Sequence, residues 1–478
     1  MNLTDKRSKL VVTIGPSSDN YNTLRSLVEA GATCVRANFS HGKHEEHLNK
    51  FNIAKKISRD MHLPISLMLD TKGPEIRVGK MANGVQFIPS NHEIKIYSYN
   101  ADFADFEGNQ NELVVSYDMS KDLAEGNVIL FDDGKLSAIV TKIAKNVVYA
   151  KTLNSHNLKS NKRINLPGVD FTLPFLSEKD INDIKFGIAQ GVNYIAASFV
   201  NSAKNVKDLR KLLDENSGKH IQIISKIESH LGIKNIDEII HESDGVMVAR
   251  GDLGLEIPYY DVPYFEKVMI RKCREAGKPI IIATQMLDSM ENNPNPTRAE
   301  VTDVYYATEL GADATMLSGE TASGAYPLEA VITMTNINKR AELEFYDKTY
   351  YDIQLEEVRR RSNLKENKRA RIAYEVANRA RFGDYKFAVV LSRTGKLLTE
   401  VAKFRPNTII VGIVNDPNMI GEFGITSSVW VSLDSIKYFD SIKKDKSKAL
   451  EVLQPYGAKP GDRILVVENE SLIEKTIE

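Results

Sequence analysis

Several short segments of this chain gather groups able to bind, ionise or pass protons. They read Arg36-Ala37-Asn38-Phe39-Ser40-His41, Asp70-Thr71-Lys72, Lys226-Ile227-Glu228, Arg250-Gly251-Asp252, Thr284-Gln285 and Ser318-Gly319-Glu320. If each is the tail of a β-strand, alternation puts Arg36, Asn38 and Ser40 on one side. Asp70 then sides with Lys72, Lys226 with Glu228, and Arg250 with Asp252. Adjacent strands run only ~4.8 Å apart, so the charges of the last two pairs would crowd together. A ligand or metal explains such crowding. Glu228 and Asp252 suit one hard cation: Mg²⁺ takes one or two carboxylates and completes its shell with substrate oxygens and water. The alternative is mutual salt bridging of Lys226 and Arg250 with these acids. With a divalent metal, Arg36, Lys72, Arg77, Lys226 and Arg250 would neutralise a small polyanion such as a phosphate. Phosphoryl transfer relies mainly on positioning and charge stabilisation and fits this set. The chain has no GxxxxGK[ST] loop and no kinase catalytic-loop signature, so another scaffold must carry the chemistry.

That scaffold shows in the hydrophobic rhythm. Short β-branched runs alternate with helical patterns: Leu10–Gly15, Thr33–Phe39 and Ile65–Asp70, then NYIAASF, IQIISKI, GVMVAR, PIIIAT and ATMLS. Helix-like stretches such as Thr23–Ala30 and His44–Met61 lie between them. Eight such units predict a closed parallel (β/α)8 TIM barrel, and the chemical groups above fall at its strand ends. From Pro74 to Phe171 the rhythm breaks into EIKIYSY, ELVVSY, NVILFDDGKLSAIV and NVVYAKTL, joined by polar turns, with Asp133-Gly134 a hairpin signal. Beyond Glu344, FAVVLS, TIIVGIV and RILVVEN with helices at Asn367–Arg381 and Ser435–Leu453 predict a small doubly wound domain. The Tyr346–Asn367 stretch reads as a linker or a charged helix. The expected organisation is α/β: a discontinuous barrel over 1–73 and 172–343, a β-barrel lid over 74–171, and a C-terminal α/β domain over 344–478.

Composition narrows the classes. The 478 residues carry 63 Lys plus Arg against 64 Asp plus Glu, a formal net charge of −1. That gives no footprint for nucleic acid or an anionic membrane surface. No run approaches the ~20 apolar residues of a membrane span, and the short apolar run Leu10–Ile14 is no secretory signal. Cys34 and Cys273 stand apart, without a disulfide framework or zinc spacing. A soluble protein of the reducing cytosol is expected.

The stretches VVTIGPSS, VRANFSHG, LDTKGPEIR, FDDG, ISKIES, DGVMVARGDLGLEIP, ATQMLDSM, NPTRAE and LSGETASGAYPLEAV, from about residue 9 to 332, resemble the successive signature blocks of pyruvate kinase. The resemblance implies a barrel with a mobile lid, a regulatory C-terminal domain and a homotetramer. It implies transfer of phosphate from phosphoenolpyruvate to ADP, giving pyruvate and ATP, with protonation of the enolate. Glu228 and Asp252 would hold Mg²⁺ (or Mn²⁺), and Asn38, Ser40, Asp70 and Thr71 would hold K⁺. Lys226 would stabilise the transferring group, with Arg36 on the phosphoryl. Arg36, Asn38, His41, Arg77 and Lys162 would meet the nucleotide. Ala249, Arg250, Gly251 and Asp252 would hold the substrate carboxylate by their backbone. Thr284 would relay a proton from water with Ser318 and Glu320. Glu75 matches members that require K⁺, and Glu75→Lys should reduce that requirement; the alternative is an exposed acid beside Arg77. A lyase or aldolase of phosphoenolpyruvate chemistry and a catalytically silent scaffold are the competing classes. The nucleotide-handling Arg77 and the lid argue against the first, and intact Lys226, Glu228, Asp252 and Thr284 against the second.

The chain also departs from the family pattern. Arg163 replaces a glycine after Lys162, and Asn201 replaces an arginine after the fourth run. Ser392-Arg393-Thr394-Gly395-Lys396 resembles the family's effector loop, yet Leu397 stands where a hydroxyl residue is common. The alternative there is a plain strand-to-helix turn. Trp430 is expected in a core or an interface.

Overall fold

The structure is a computed structural model that describes residues 6–98, 105–170 and 172–477. Eight parallel strands pair in chain order and close on themselves. They are Lys9–Thr13, Cys34–Asn38, Ser66–Asp70, Tyr194–Ala197, Gln222–Ile227, Gly245–Ala249, Ile280–Ala283 and Ala314–Leu317. Each lies within two residues of its expected run. These runs are near-continuous apolar sequence because the helices cover their outer faces and the other strands their inner ones. Val11, Met68, Tyr194, Met247, Ile281 and Met316 fill the interior.

Capping chemistry sets the helices. The His44–Met61 helix carries Glu45 and Glu46 in its first turn and Arg59 in its last, matching the helix dipole. In NPTRAE, Thr297 and Glu300 form a capping box, and Glu300 also accepts from the backbone and hydroxyl of Ser289 at 2.7 and 2.6 Å. That motif is a brace between two loops.

The lid is a seven-stranded sheet plus a separate two-stranded pair. The Asp133-Gly134 turn is a hairpin, with Asp132, Asp133 and Gly134 at φ of 50°, 55° and 79° between antiparallel strands. One expectation fails here. Glu93–Ser98 and Glu112–Val115 pair in parallel, which a tight turn cannot connect. Tyr99, which ends the EIKIYSY run, and Phe171, the expected end of the lid, lie outside the described residues.

The tail domain is a five-stranded sheet built on Phe387–Ser392, Ile409–Val414 and Arg463–Glu468. The sequence reading missed its short strand Val429–Val431 and its antiparallel edge Ser471–Thr476. Tyr346–Asn367 resolves as a helix over Lys348–Arg361, with Arg359, Arg360 and Arg361 in its last turn. The expected helix Ser435–Leu453 breaks after Lys444, where Asp445 turns extended, and resumes at Ala449.

The tail also closes the lower end of the barrel. Its Ile425 joins the barrel's interior cluster, while Thr33 and Ser66 donate to the carbonyls of Gly424 and Gly421 at 2.7 and 2.6 Å. A Cβ on Gly424 would lie 2.0 Å from the Ser66 hydroxyl, so only glycine permits the approach. Trp430 is buried, with the Lys9 ammonium 3.6 Å from its ring centroid. It therefore serves a core and an interface together.

Candidate active site

The carboxyl ends of the strands open into a cavity of about 760 Å³, on the face where this architecture carries chemistry. Its floor is one chain of charges. Arg36 donates to Thr13 Oγ1 and to Asp70 Oδ2, both at 2.7 Å. Lys226 reaches Asp70 Oδ1 at 3.1 Å, Ser198 Oγ at 2.8 Å and Glu228 Oε1 at 3.0 Å. Glu228 Oε2 accepts the Phe199 N–H at 2.7 Å. Phe199 is held at φ 53°, a strained conformation for a bulky residue, and the carboxylate it meets helps pin it. Alternation thus places Lys226 with Glu228 as expected, and Lys72 lines the same cavity as Asp70.

The electrostatics separate the two acids that share Lys226. Burial works against the charge of Asp70, but Arg36 and Lys226 outweigh it and hold its pKa below the ordinary value. Burial pushes Glu228 up; Lys226 opposes this, while Asp252 and Asp70 add to it. Lys226 is likewise disfavoured by burial, yet Asp70 and Glu228 raise its pKa overall. Two carboxylates therefore meet where Glu228 faces Asp252, and a divalent cation would suit that position. No group of three or more His, Cys, Asp or Glu able to hold a metal occurs among the described residues. Two carboxylates suffice for Mg²⁺ when substrate oxygens complete its shell.

Arg163, the departure from the family pattern, lines this cavity. It pairs with Asp252 and, at 2.8 Å, with Glu75. Burial opposes its charge, but Asp252, Glu75 and Glu228 raise its pKa. A lid side chain thus stands on a proposed metal ligand. Glu75 is not an exposed acid: its side chain is 1% exposed, and Arg77 grips one oxygen with two nitrogens at 2.9 and 2.7 Å. Lys72 lies 3.9 Å away. Glu75→Lys would set another cation among Lys72, Arg77 and Arg163, so that substitution reports on charge clash as well as on K⁺.

Two expectations change. Arg250 and Asp252 do not share a side, because Arg250 opens a helix, Arg250–Glu256, in which alternation no longer applies. The Arg250 side chain turns away to Asp303 at 2.6 Å, Glu266 at 3.3 Å and the Thr284 carbonyl at 3.0 Å. The salt-bridge alternative therefore holds for Lys226 and fails for Arg250. Glu320 also lies outside the cavity lining, its oxygens taken by the N–H groups of Leu287 at 3.1 Å and Ser318 at 2.7 Å. It braces loops and is not placed to relay a proton.

Thr284 and Ser318 do line the cavity, with Ala249. Thr284 sits at φ 69°, rare for a β-branched residue, accepts the Gly251 N–H at 2.7 Å and donates to the Ala283 carbonyl at 2.6 Å. The Ser318 hydroxyl is buried without a partner among the described residues. Asn38, Ser40 and His41 line the cavity, with Asn38 opposite Asp70 in strand register and its Oδ1 accepting the Ser40 N–H at 3.0 Å. Thr71 is buried behind them, its Oγ1 accepting the Ser198 N–H at 3.1 Å. Arg77 and Lys162 lie outside the lining: Arg77 holds Glu75 and the Asn161 carbonyl, and Lys162 pairs with Asp132 at 2.7 Å. Asn201 is absorbed structurally, its backbone N–H bonded to Asn205 and its carbonyl to Asn235. In the tail, Ser392–Lys396 does join a strand to a helix, with Gly395 at φ 70°, and Leu397 is core.

Glu256 ties the Arg250–Glu256 helix to the lid, accepting from Asn165 Nδ2 at 3.2 Å. Burial, aided by Asp252 and Glu228 and opposed by Asn165, pushes its pKa from 4.5 up to about 7. Its folded pKa exceeds the unfolded one, so the folded state holds the extra proton between those values. Stability is then full below the lower value and falls by about 3 kcal/mol as pH rises through the upper one. Glu256→Gln in metal-free protein should raise the apparent Tm by several degrees at pH 8 and hardly at all at pH 5. Equal shifts at both pH values would assign the effect to packing instead.

The comparisons with known proteins agree with the fold. The family model described as "Pyruvate kinase, barrel domain" matches residues 5–331. A pyruvate kinase of Mycoplasma pneumoniae is 40% identical over 479 residues, covering 93% of each chain. One from Lactobacillus delbrueckii subsp. bulgaricus is 39% identical over 97% of this chain and 77% of its own. The crystal structure of a pyruvate kinase from Cryptosporidium parvum superposes with a TM-score of 0.91 at 33% identity, covering 100% of this chain and 97% of that one.

Proposed function

The chain belongs to the pyruvate kinase family and moves the phosphoryl group of phosphoenolpyruvate to ADP, and from that premise we propose how its own residues do so. The carrying observation is the run Arg36–Asp70–Lys226–Glu228 facing Asp252 across one cavity. Glu228 and Asp252 hold Mg²⁺ or Mn²⁺, which supplies charge stabilisation to the phosphoryl oxygens when bound. Lys226 is locked by three oxygens and points its ammonium at the cavity, a preorganised charge for the enolate and phosphoryl oxygens. Arg36, buried and oriented by Thr13 and Asp70, takes the phosphoryl group. The bond from phosphorus to the enolate oxygen breaks as one to an ADP oxygen forms.

The enolate carbon then needs a proton. Thr284 and the unpartnered Ser318 hydroxyl supply the polar atoms for a water relay, without Glu320. Asn38 and His41 meet the nucleotide from the rim. Arg77 and Lys162 do so only by releasing their present partners. The backbone from Ala249 to Asp252 receives the substrate carboxylate, and Gly251 must exchange its bond to Thr284 to take part.

Asn38, Ser40, Asp70 and Thr71 hold K⁺. Replacing K⁺ by tetramethylammonium at constant ionic strength should lower kcat about tenfold or more, ~1.4 kcal/mol in the barrier, with recovery on adding K⁺. Equal rates in the two salts would remove this site. The assembly we propose is a homotetramer, for which the exposed Leu343 and Ile353 on adjoining helices are candidate interface residues; no helix among the described residues is long and apolar enough to cross a membrane. The Ser392–Lys396 turn, with Arg393 and Lys396 as its cations, regulates by binding an anion, and Lys396→Ala should abolish any activation by sugar phosphates or AMP. The direct test of the whole reading is pyruvate release that depends on ADP, Mg²⁺ and phosphoenolpyruvate. No turnover under those conditions would sink it.

A further inference from the structure

We propose that His47, which lies behind the rim and outside the cavity lining, is a positioning residue that fixes the loop bearing His41 and thereby orients the nucleotide. The role rests on the nucleotide meeting Asn38 and His41 at the rim, as in the function proposed above.

His47 stands where the helical pattern calls for an apolar side chain. The buried face of the helix His44–Met61 runs His47, Phe51, Ala54 and Ile57, the spacing of a core stripe. His47 is 1% exposed, and its ring lies flat on Phe39, with centroids 3.9 Å apart and planes at 18°. A phenylalanine would make that contact equally well, so packing alone gives no reason for a histidine. The hydrogen bond does. His47 Nε2 lies 2.9 Å from the His41 carbonyl oxygen, which can only accept, so Nε2 carries the proton. Burial pushes the pKa of His47 down to about 4, although the bond to His41 works the other way. The ring is therefore neutral and its Nδ1 bare, and Nδ1 is buried without a partner among the described residues. One ring nitrogen is left unsatisfied in the interior, a cost, while the other reaches a single carbonyl of the rim.

The loop that follows the strand Cys34–Asn38 is held at two points. The first is Phe39, which turns towards the helix while Asn38, Ser40 and His41 line the cavity. Its N–H donates to the Asp70 carbonyl at 3.0 Å. Its carbonyl accepts from Lys179 Nζ at 2.8 Å, and Lys179 is itself held by Asp183 at 2.6 Å. These contacts fix the part of the loop proposed to hold K⁺. The second point is His41, on the nucleotide side. Its N–H makes a longer turn bond to the Asn38 carbonyl at 3.3 Å, and its carbonyl takes the bond from His47. Gly42, at φ 80°, lays the chain against that ring: a Cβ there would come within 3.3 Å of His47 Nε2. His47 thus governs the His41 end of the loop, and Phe39 with Lys179 the Asn38 end.

Steady-state kinetics of the full chain with Mg²⁺, K⁺, ADP and phosphoenolpyruvate separate positioning from a merely structural role. His47→Phe keeps the stack and removes the donor. It should raise the KM for ADP at least about fivefold while kcat and the KM for phosphoenolpyruvate stay within about twofold of the parent, the split expected when one substrate loses its positioning. His47→Gln, whose amide can still donate to the His41 carbonyl, should bring the KM for ADP back to within about twofold of the parent. If His47→Phe does not fold, His47→Met set against His47→Gln makes the same comparison, since the two side chains are equally long and only the second donates. With an active parent, an unchanged KM for ADP in the variants without a donor, an equal rise in His47→Gln, or a loss shared equally by both substrates would overturn the role of His47 alone. A parent without ADP-dependent turnover would overturn both this role and the function beneath it.

Discussion

Lys226→Ala lowers kcat by about a thousandfold or more, the range seen when a preorganised charge is taken from a phosphoryl-transfer or oxyanion site. The reason is geometric. The ammonium is held by Asp70, Ser198 and Glu228 at 2.8 to 3.1 Å, so it meets the transition state without reorganising. The same contacts predict a cost in stability. Removing one partner of a buried ion pair typically costs about 3–5 kcal/mol, and Asp70 keeps Arg36 while Glu228 keeps only its bond from Phe199. The loss should therefore be larger in metal-free protein than with Mn²⁺, whose charge would replace that of Lys226 at Glu228. Three readouts separate the effects: kcat, apparent Tm with and without Mn²⁺, and Mn²⁺ binding followed by electron paramagnetic resonance. Exchange of pyruvate methyl protons with solvent should outlast phosphoryl transfer, since it needs enolisation alone. A variant that retains kcat within tenfold of the parent would remove Lys226 from the chemistry.

Arg163→Gly tightens Mn²⁺ binding about tenfold in the absence of substrate. Arg163 pairs with Asp252, so an arriving cation must displace a guanidinium, and removing that competitor returns roughly 1.4 kcal/mol to the affinity. Arg163→Lys should fall between, because an ammonium cannot hold Glu75 and Asp252 with a planar fork. The lid should also loosen in Arg163→Gly, since the Arg163 contacts with Glu75 and Asp252 tie the lid to the barrel rim. Higher proteolytic susceptibility of the lid would show this independently of activity. Unchanged or weaker Mn²⁺ affinity would mean that the metal does not use Asp252, or that Arg163 leaves it without cost.

The barrel was legible in the sequence because a parallel strand buried on both faces must be an apolar run, and the eight runs and their polar tails stand out. Side-chain alternation also placed Lys226 beside Glu228, since both lie at the end of one strand. The same rule failed at Arg250, where the chain had already entered a helix. Periodicity carries no mark of the residue at which one period gives way to another. The parallel pairing of Glu93–Ser98 with Glu112–Val115 was hidden for a related reason: alternation is the same for either strand direction.

The sequence by itself determined the architecture and the inventory of the site, because burial patterns and strand-end chemistry are properties of neighbouring residues. The tertiary structure decided which charges meet. Arg163 and Asp252 are 89 positions apart, and Asp70 and Lys226 are 156 apart. An ion pair between them depends on how the lid folds back on the rim and how the barrel closes, and distance along the chain records neither.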